Sequence, residues 1–177
     1  MNLTKKMKAV ATALSITVAS FAVGAEDLIK NGNFADGTNS WSIPGDGKWK
    51  NFKTEIVDIG DGFKSIKFKI EKKEEMKPWA LNMRQFIAKP VKKGTPLVLS
   101  FKIKGTGIEK IFCAVEENKA PYIQSIKSDI KIITDWQTIK LEGVAADDYE
   151  AGAWKIAFNL AYGTGEIELS DIKLETK

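Results

Sequence analysis

The chain has 177 residues, with 27 Lys and Arg against 23 Asp and Glu, one cysteine and no histidine. The absence of histidine excludes Ser-His and Cys-His nucleophilic catalysis and any His-ligated metal. A single cysteine excludes an intrachain disulfide.

The chain opens with Lys5, Lys6 and Lys8, followed by an uncharged apolar run from Ala9 to Val23 and the small residues Gly24 and Ala25. That order is the pattern of a secretory signal peptide over residues 1–25, too short and wrongly flanked for a membrane anchor. No cysteine stands near the expected cleavage point, so no lipid anchor is indicated. The expectation is a protein exported to the periplasm, the cell surface or the medium. Removing those three lysines from the 27 basic residues leaves 24 against 23 acidic ones, a net charge of about +1. Near neutrality gives no electrostatic case for nucleic acid or an anionic membrane. Residues 26–177 are enough for one domain with one core.

The first stretch that reads as folded is "LIKNGNFADGTNSWS", residues 28–42. Leu28 to Lys30 predict a short strand, and Asn31-Gly32 a turn with positive φ that folds the chain back across a sheet edge. Phe34 and Trp41 then insert as core plugs on either side of Asp36-Gly37. Beyond this the apolar period is two almost throughout. Ile66, Phe68 and Ile70 alternate with Lys67 and Lys69; Leu97, Leu99, Phe101 and Ile103 alternate with Val98, Ser100 and Lys102. Ile156, Phe158 and Leu160 alternate with Lys155, Ala157 and Asn159, whose parity with Ala161 marks an outward face. In the last segment the alternation slips once between Leu169 and Ile172, which predicts a bulge. Turn signals such as Gly60-Asp61-Gly62, Lys93-Gly94 and Gly163-Thr164-Gly165 separate the runs. The charge run "EKKEEMK" at 71–77 reads as a solvated loop. Cys113, in "KIFCAVEE", reads as a small core residue. Eight to ten short strands, each with one apolar face, predict an all-β domain: two antiparallel sheets packed as a β-sandwich, Greek key or jelly roll.

Three stretches carry a resemblance. "LIKNGNFADGTNSWS" resembles the start of the cenC-type carbohydrate-binding modules of families 4, 9, 16 and 22. "PWALNMRQFIAKPVKKGTPLVLSFKIKG", 78–105, is similar to their Trp-containing, Gln-rich strand and the strand after it, and "AWKIAFNLAYGTGEIELSDIKLE", 153–175, to their closing strands. The resemblance spans residues 26–177 and implies a galactose-binding-like jelly roll. It also implies a non-catalytic module that binds polysaccharide of the β-glucan or xylan type. A glycoside hydrolase or a cell-surface assembly is the implied partner. Where the family commonly has Gln this chain has Asn82, a shorter amide with a different reach.

Sugar recognition on a sheet face needs aromatic rings against pyranose C–H faces and polar groups for the hydroxyls. The sequence offers Trp49, Trp79 and Tyr122 for stacking, with Asn82, Arg84, Gln124 and Asn159 as polar partners. Phe112 and Glu116 share the face opposite Cys113 and Val115, while Arg84 is equally a candidate for a surface ion pair. Trp41, Trp136 and Trp154 are assigned to the core. The resemblance further implies a structural calcium at Asp171, although the family's acid after the Phe is Ala35 here. The neighbours Glu116-Glu117 and Asp147-Asp148 point to opposite faces of a strand and so form no catalytic dyad. Two other readings stay open: a jelly-roll scaffold for protein partners, and a small glycoside hydrolase or lyase.

Overall fold

The computed structural model describes residues 26–43, 51–71 and 77–177; the expected signal peptide and Trp49 lie outside the described residues. Among the described residues nine strands form: β1 (Phe52–Gly60), β2 (Phe63–Ile70), β3 (Asn82–Phe86), β4 (Pro96–Thr106), β5 (Lys110–Glu117), β6 (Gln124–Lys131), β7 (Gln137–Val144), β8 (Trp154–Asn159) and β9 (Gly165–Thr176). They build a five-stranded sheet of order β1-β2-β9-β4-β7 and a four-stranded sheet of order β3-β8-β5-β6. Every pairing within them is antiparallel. This is the expected jelly-roll sandwich. Among the described residues no helix is long and apolar enough to cross a membrane.

The period-two pattern decides which side chains meet between the sheets. Ile66, Phe68 and Ile70 of β2, Leu97, Leu99, Phe101 and Ile103 of β4, and Ile156 and Phe158 of β8 are all buried. Phe101 and Phe158 meet edge to face across the sandwich, with ring centroids 5.2 Å apart. Burying such a side chain is worth about 2–3 kcal/mol. Cys113 is buried among them, and burial pushes its thiol up to about 12. It is a core residue, as its parity predicts.

The slip in β9 is a bulge. Ser100 pairs with Lys173 and Lys102 with Ser170, so Asp171 and Ile172 together oppose Phe101. Asp171 takes φ +50, the left-handed turn that lets Ile172 and Leu174 point inward again. Beyond the bulge the N-terminal segment joins β9: the Leu28 amide donates to the Leu174 carbonyl at 2.7 Å, and Asp27 bridges Glu175. A single bridge replaces the expected strand at 28–30.

The Asn31-Gly32 turn has the predicted positive φ. Asn31, not Gly32, takes the positive φ, at +52. Its side chain holds the loop by donating to the carbonyls of Gly37 and Asn39. Gly32 is needed for closeness instead, because a Cβ there would collide with the Ile172 carbonyl oxygen. Its own carbonyl accepts from the Ile172 amide at 3.0 Å. Phe34 and Trp41 are buried core plugs 5.7 Å apart, and the Trp41 indole N–H donates to the Asn31 carbonyl.

Trp136 departs from its core assignment and is 36% exposed. It shares parity with the exposed Thr138 and Lys140 of the edge strand β7, and lies against the outer face with the Lys104 ammonium 4.9 Å from its ring centre. Ala161 also departs from its outward assignment. It sits past the end of β8, in the core, with its amide donating to the Pro78 carbonyl.

Candidate functional site

The outer face of the four-stranded sheet follows from register. Residues paired across β3, β8, β5 and β6 form three rows on that face. Asn82, Asn159, Phe112 and Asp129 make the first row; Arg84, Ala157, Ala114 and Lys127 the second; Phe86, Lys155, Glu116 and Gln124 the third. Small residues at the centre of the second row keep the middle low, while long side chains stand at the ends.

Two aromatic residues stand at opposite ends of these rows. Trp79 lies in a single 3-10 turn, Pro78–Ala80, immediately before β3. The turn is pinned to the end of β8 because the Leu160 and Ala161 amides donate to the Leu81 and Pro78 carbonyls. The indole is 60% exposed. Tyr122, 50% exposed, lies in the β5–β6 hairpin loop at the other end of the face. It adopts φ +57, a conformation that costs an L-residue roughly 1–2 kcal/mol. The two stations are separated by the length of β3, roughly 13 Å at 3.3 Å per residue. The groove between them has a volume of about 510 Å³ and is lined by both aromatics and by Asn82, Arg84, Glu116, Gln124, Lys155 and Asn159.

A polar network supports the Tyr122 end. The Lys155 ammonium lies 3.2 Å from Glu116 Oε1, donates to the Glu117 carbonyl at 3.1 Å, and sits 4.9 Å from the centre of the Tyr122 ring. The second Glu116 oxygen accepts from Gln124 Nε2 at 3.2 Å. The Lys155 and Glu116 side chains are only 7% and 15% exposed, so this pair is shielded from solvent and anchors one ring face.

At the other end Asn82 Nδ2 donates to Asn159 Oδ1 at 2.6 Å. Asn82 Oδ1 and Arg84 Nε are buried yet have no hydrogen-bond partner. The Arg84 guanidinium packs 5.7 Å from the Phe86 ring and forms no ion pair among the described residues.

Every candidate contact residue that falls within the described residues thus lies in one groove: Trp79, Asn82, Arg84, Tyr122, Gln124 and Asn159. The list missed Lys155. Its parity with Asn159 put it on the correct face, but sequence gave no sign that it would be nearly covered and paired with Glu116. Gln85, on the opposite side of β3, is structural. Its amide accepts from the Lys30 amide at 2.7 Å and donates to the Lys30 carbonyl at 2.8 Å, fastening the N-terminal segment.

Asp171 does not join a site fit for calcium. One of its oxygens lies 3.3 Å from the Lys173 ammonium and the other 3.8 Å from that of Lys102. The nearby Asp27 carboxylate turns one oxygen to the Ile29 and Leu174 amides. Among the described residues no three Asp, Glu or Cys side chains converge. A hard divalent cation needs six or more oxygen ligands, and two ammonium groups compete for this carboxylate.

A jelly-roll sandwich with an aromatic-flanked polar groove on one sheet face defines a class of ligand-binding module. Residues 26–151 match the family model described as carbohydrate binding domain, and the chain belongs to that family. No curated protein sequence is significantly similar to it. Among solved structures it is similar to a family 4 carbohydrate-binding module, at 22% identity and TM-score 0.65, covering 84% of this chain and 99% of that one. It is also similar to the second N-terminal cellulose-binding domain of Cellulomonas fimi β-1,4-glucanase C, at 21% identity and TM-score 0.65, covering 87% and 96%. A Stig cyclase from Fischerella shares the fold at 12% identity and TM-score 0.57, covering 86% and 98%. Fold alone therefore fixes neither ligand nor activity.

Proposed function

We propose that this protein is an exported, non-catalytic module that binds polysaccharide of the β-glucan or xylan type in the groove between Trp79 and Tyr122. It would thereby support polysaccharide capture or degradation, working with a glycoside hydrolase or a cell-surface assembly. The observation that carries this reading is the pairing of two exposed rings with the polar side chains of Asn82, Arg84, Gln124 and Asn159 in one groove. Rings supply apolar faces for pyranose C–H groups, and amide and guanidinium side chains offer acceptors and donors for hydroxyls. Export rests on residues 1–25.

The lining supports binding over hydrolysis. Glycoside hydrolysis uses two carboxyl groups flanking the bond, whereas Glu116 is the sole carboxylate among the described lining residues and is paired with Lys155. The scaffold reading asks for an exposed apolar patch on the five-stranded sheet. Its described outer face carries exposed Phe63 and Trp136, each against a lysine ammonium, among ion pairs such as Lys67–Glu166 and Lys104–Glu168.

The test is affinity electrophoresis of the purified protein through gels containing β-glucan, xylan, mannan or starch. Retardation by β-glucan or xylan is expected. Equal mobility in every gel would overturn the reading.

A further inference from the structure

The charge on the groove face is unbalanced in one place. By register, the cations on this face are Arg84, Lys110, Lys127, Lys131 and Lys155, and the acids are Glu116 and Asp129. Both acids are already engaged: Glu116 with Lys155 at 3.2 Å, and Asp129 with Lys110 at 2.9 Å. The second row is left as Arg84–Ala157–Ala114–Lys127, a cation at each end and no carboxylate between. Arg84 lines the groove, and its guanidinium has no ion-pair partner among the described residues; a guanidinium presents a fork to planar anions. Neutral hydroxyls satisfy single donors. They leave the charge of a half-buried guanidinium uncompensated, whereas a carboxylate satisfies both charge and fork.

We infer that the groove selects a polysaccharide bearing uronic-acid carboxylates, with Arg84 taking the carboxylate and Lys127 adding long-range attraction. This inference rests on the proposed sugar-binding function of the same groove and narrows its ligand class. The near-neutral net charge of residues 26–177 does not oppose it, because the excess is local to one sheet face.

The experiment compares retardation of the purified protein by glucuronoxylan, by the same polymer after carboxyl reduction, by neutral β-glucan, and by dextran sulfate. Preference for glucuronoxylan that carboxyl reduction lowers by roughly ten- to a hundredfold is expected, the range for losing a charge-assisted contact. Arg84→Gln should lower glucuronoxylan affinity to the level of the reduced polymer. Lys127→Gln, at an exposed position that cannot disturb the fold, should lower it less and weaken its dependence on salt. Equal binding to native and reduced polymer would overturn the uronic-acid inference while leaving sugar binding standing. Equal or stronger retention by dextran sulfate would overturn it in favour of charge alone. Retention by none of the polymers would overturn both the inference and the function it rests on.

Discussion

The two sheets of the sandwich present opposite kinds of outer surface. On the five-stranded sheet, lysines and acids alternate across strands and engage one another, as in Lys67–Glu166 at 2.8 Å and Lys53–Glu71 at 3.0 Å. On the four-stranded sheet two exposed rings flank a groove whose Arg84 has no ion-pair partner among the described residues. The core behind both faces is continuous, so the difference owes nothing to packing. Among the described residues one face pairs its charges and the other leaves Arg84 without an ion pair. That contrast locates the site better than aromatic content does, since Trp136 is also exposed but lies on the charge-paired side with Lys104.

The sharpest way to break the comparison is through the ion pairs themselves. Lys155→Met leaves Glu116 in the groove wall without its partner and removes the support of Tyr122. Breaking a shielded pair in this way should destabilise by about 2–3 kcal/mol, a fall in Tm of roughly 5–10 °C. Adding Glu116→Gln should restore most of it. Lys53, whose side chain is 75% exposed, should tolerate Met with no measurable change in Tm. Equal effects at the two positions would mean the faces are electrostatically alike.

Ligand affinity offers the next contrast. Trp79→Ala should weaken polysaccharide binding by about 2 kcal/mol, roughly thirtyfold, at unchanged Tm. Trp136→Ala should leave binding untouched. Isothermal titration against the polymer found by electrophoresis reads both, and a loss at Trp136 would move the site to the other face.

A smaller effect probes the layer between the faces. The Cys113 thiol titrates near 9.0 when unfolded and is pushed to about 12 by burial in the fold. Between those values the unfolded chain binds fewer protons than the folded one, so stability falls as pH rises above 9. Chemical denaturation of the wild type and Cys113→Ala at pH 8 and pH 10.5 should show that slope reduced in the variant. The thiol should also resist disulfide reagents until the chain unfolds.

How much of this was legible in sequence follows from what each feature depends on. The sandwich was legible because period-two alternation is local, and even the bulge at Asp171 showed as a skipped beat between Leu169 and Ile172. Arg84, Asn82 and Asn159 were legible because parity along a strand fixes the face. Trp136 was misread because an indole before an edge strand has no interior partner on one side, a fact of strand order. Lys155 was missed because its pairing with Glu116 crosses from β8 to β5, a register that no local pattern reveals. The need for glycine at position 32 was not legible, because the approach of Ile172 comes from the far end of the chain.

The smallest expected effect concerns the corner where the faces' logic and the family's expectation disagree. The resemblance implies calcium at Asp171, yet Lys102 and Lys173 bracket that carboxylate and make it part of the charge-paired lattice of the five-stranded sheet. A bound ion that stabilises only the folded state would raise Tm with its concentration. Two ammonium groups must be displaced before such an ion gains a ligand there, so neither calcium nor EDTA at about 10 mM, above the roughly millimolar constants of weak extracellular sites, should shift Tm or polymer affinity. Lys102→Gln with Lys173→Gln removes the competition. If calcium then stabilises the variant but not the wild type, lysine pairing has replaced the ion at this bulge. A calcium-dependent Tm in the wild type would instead show that the lysines yield, and that the lattice is less closed than its geometry indicates.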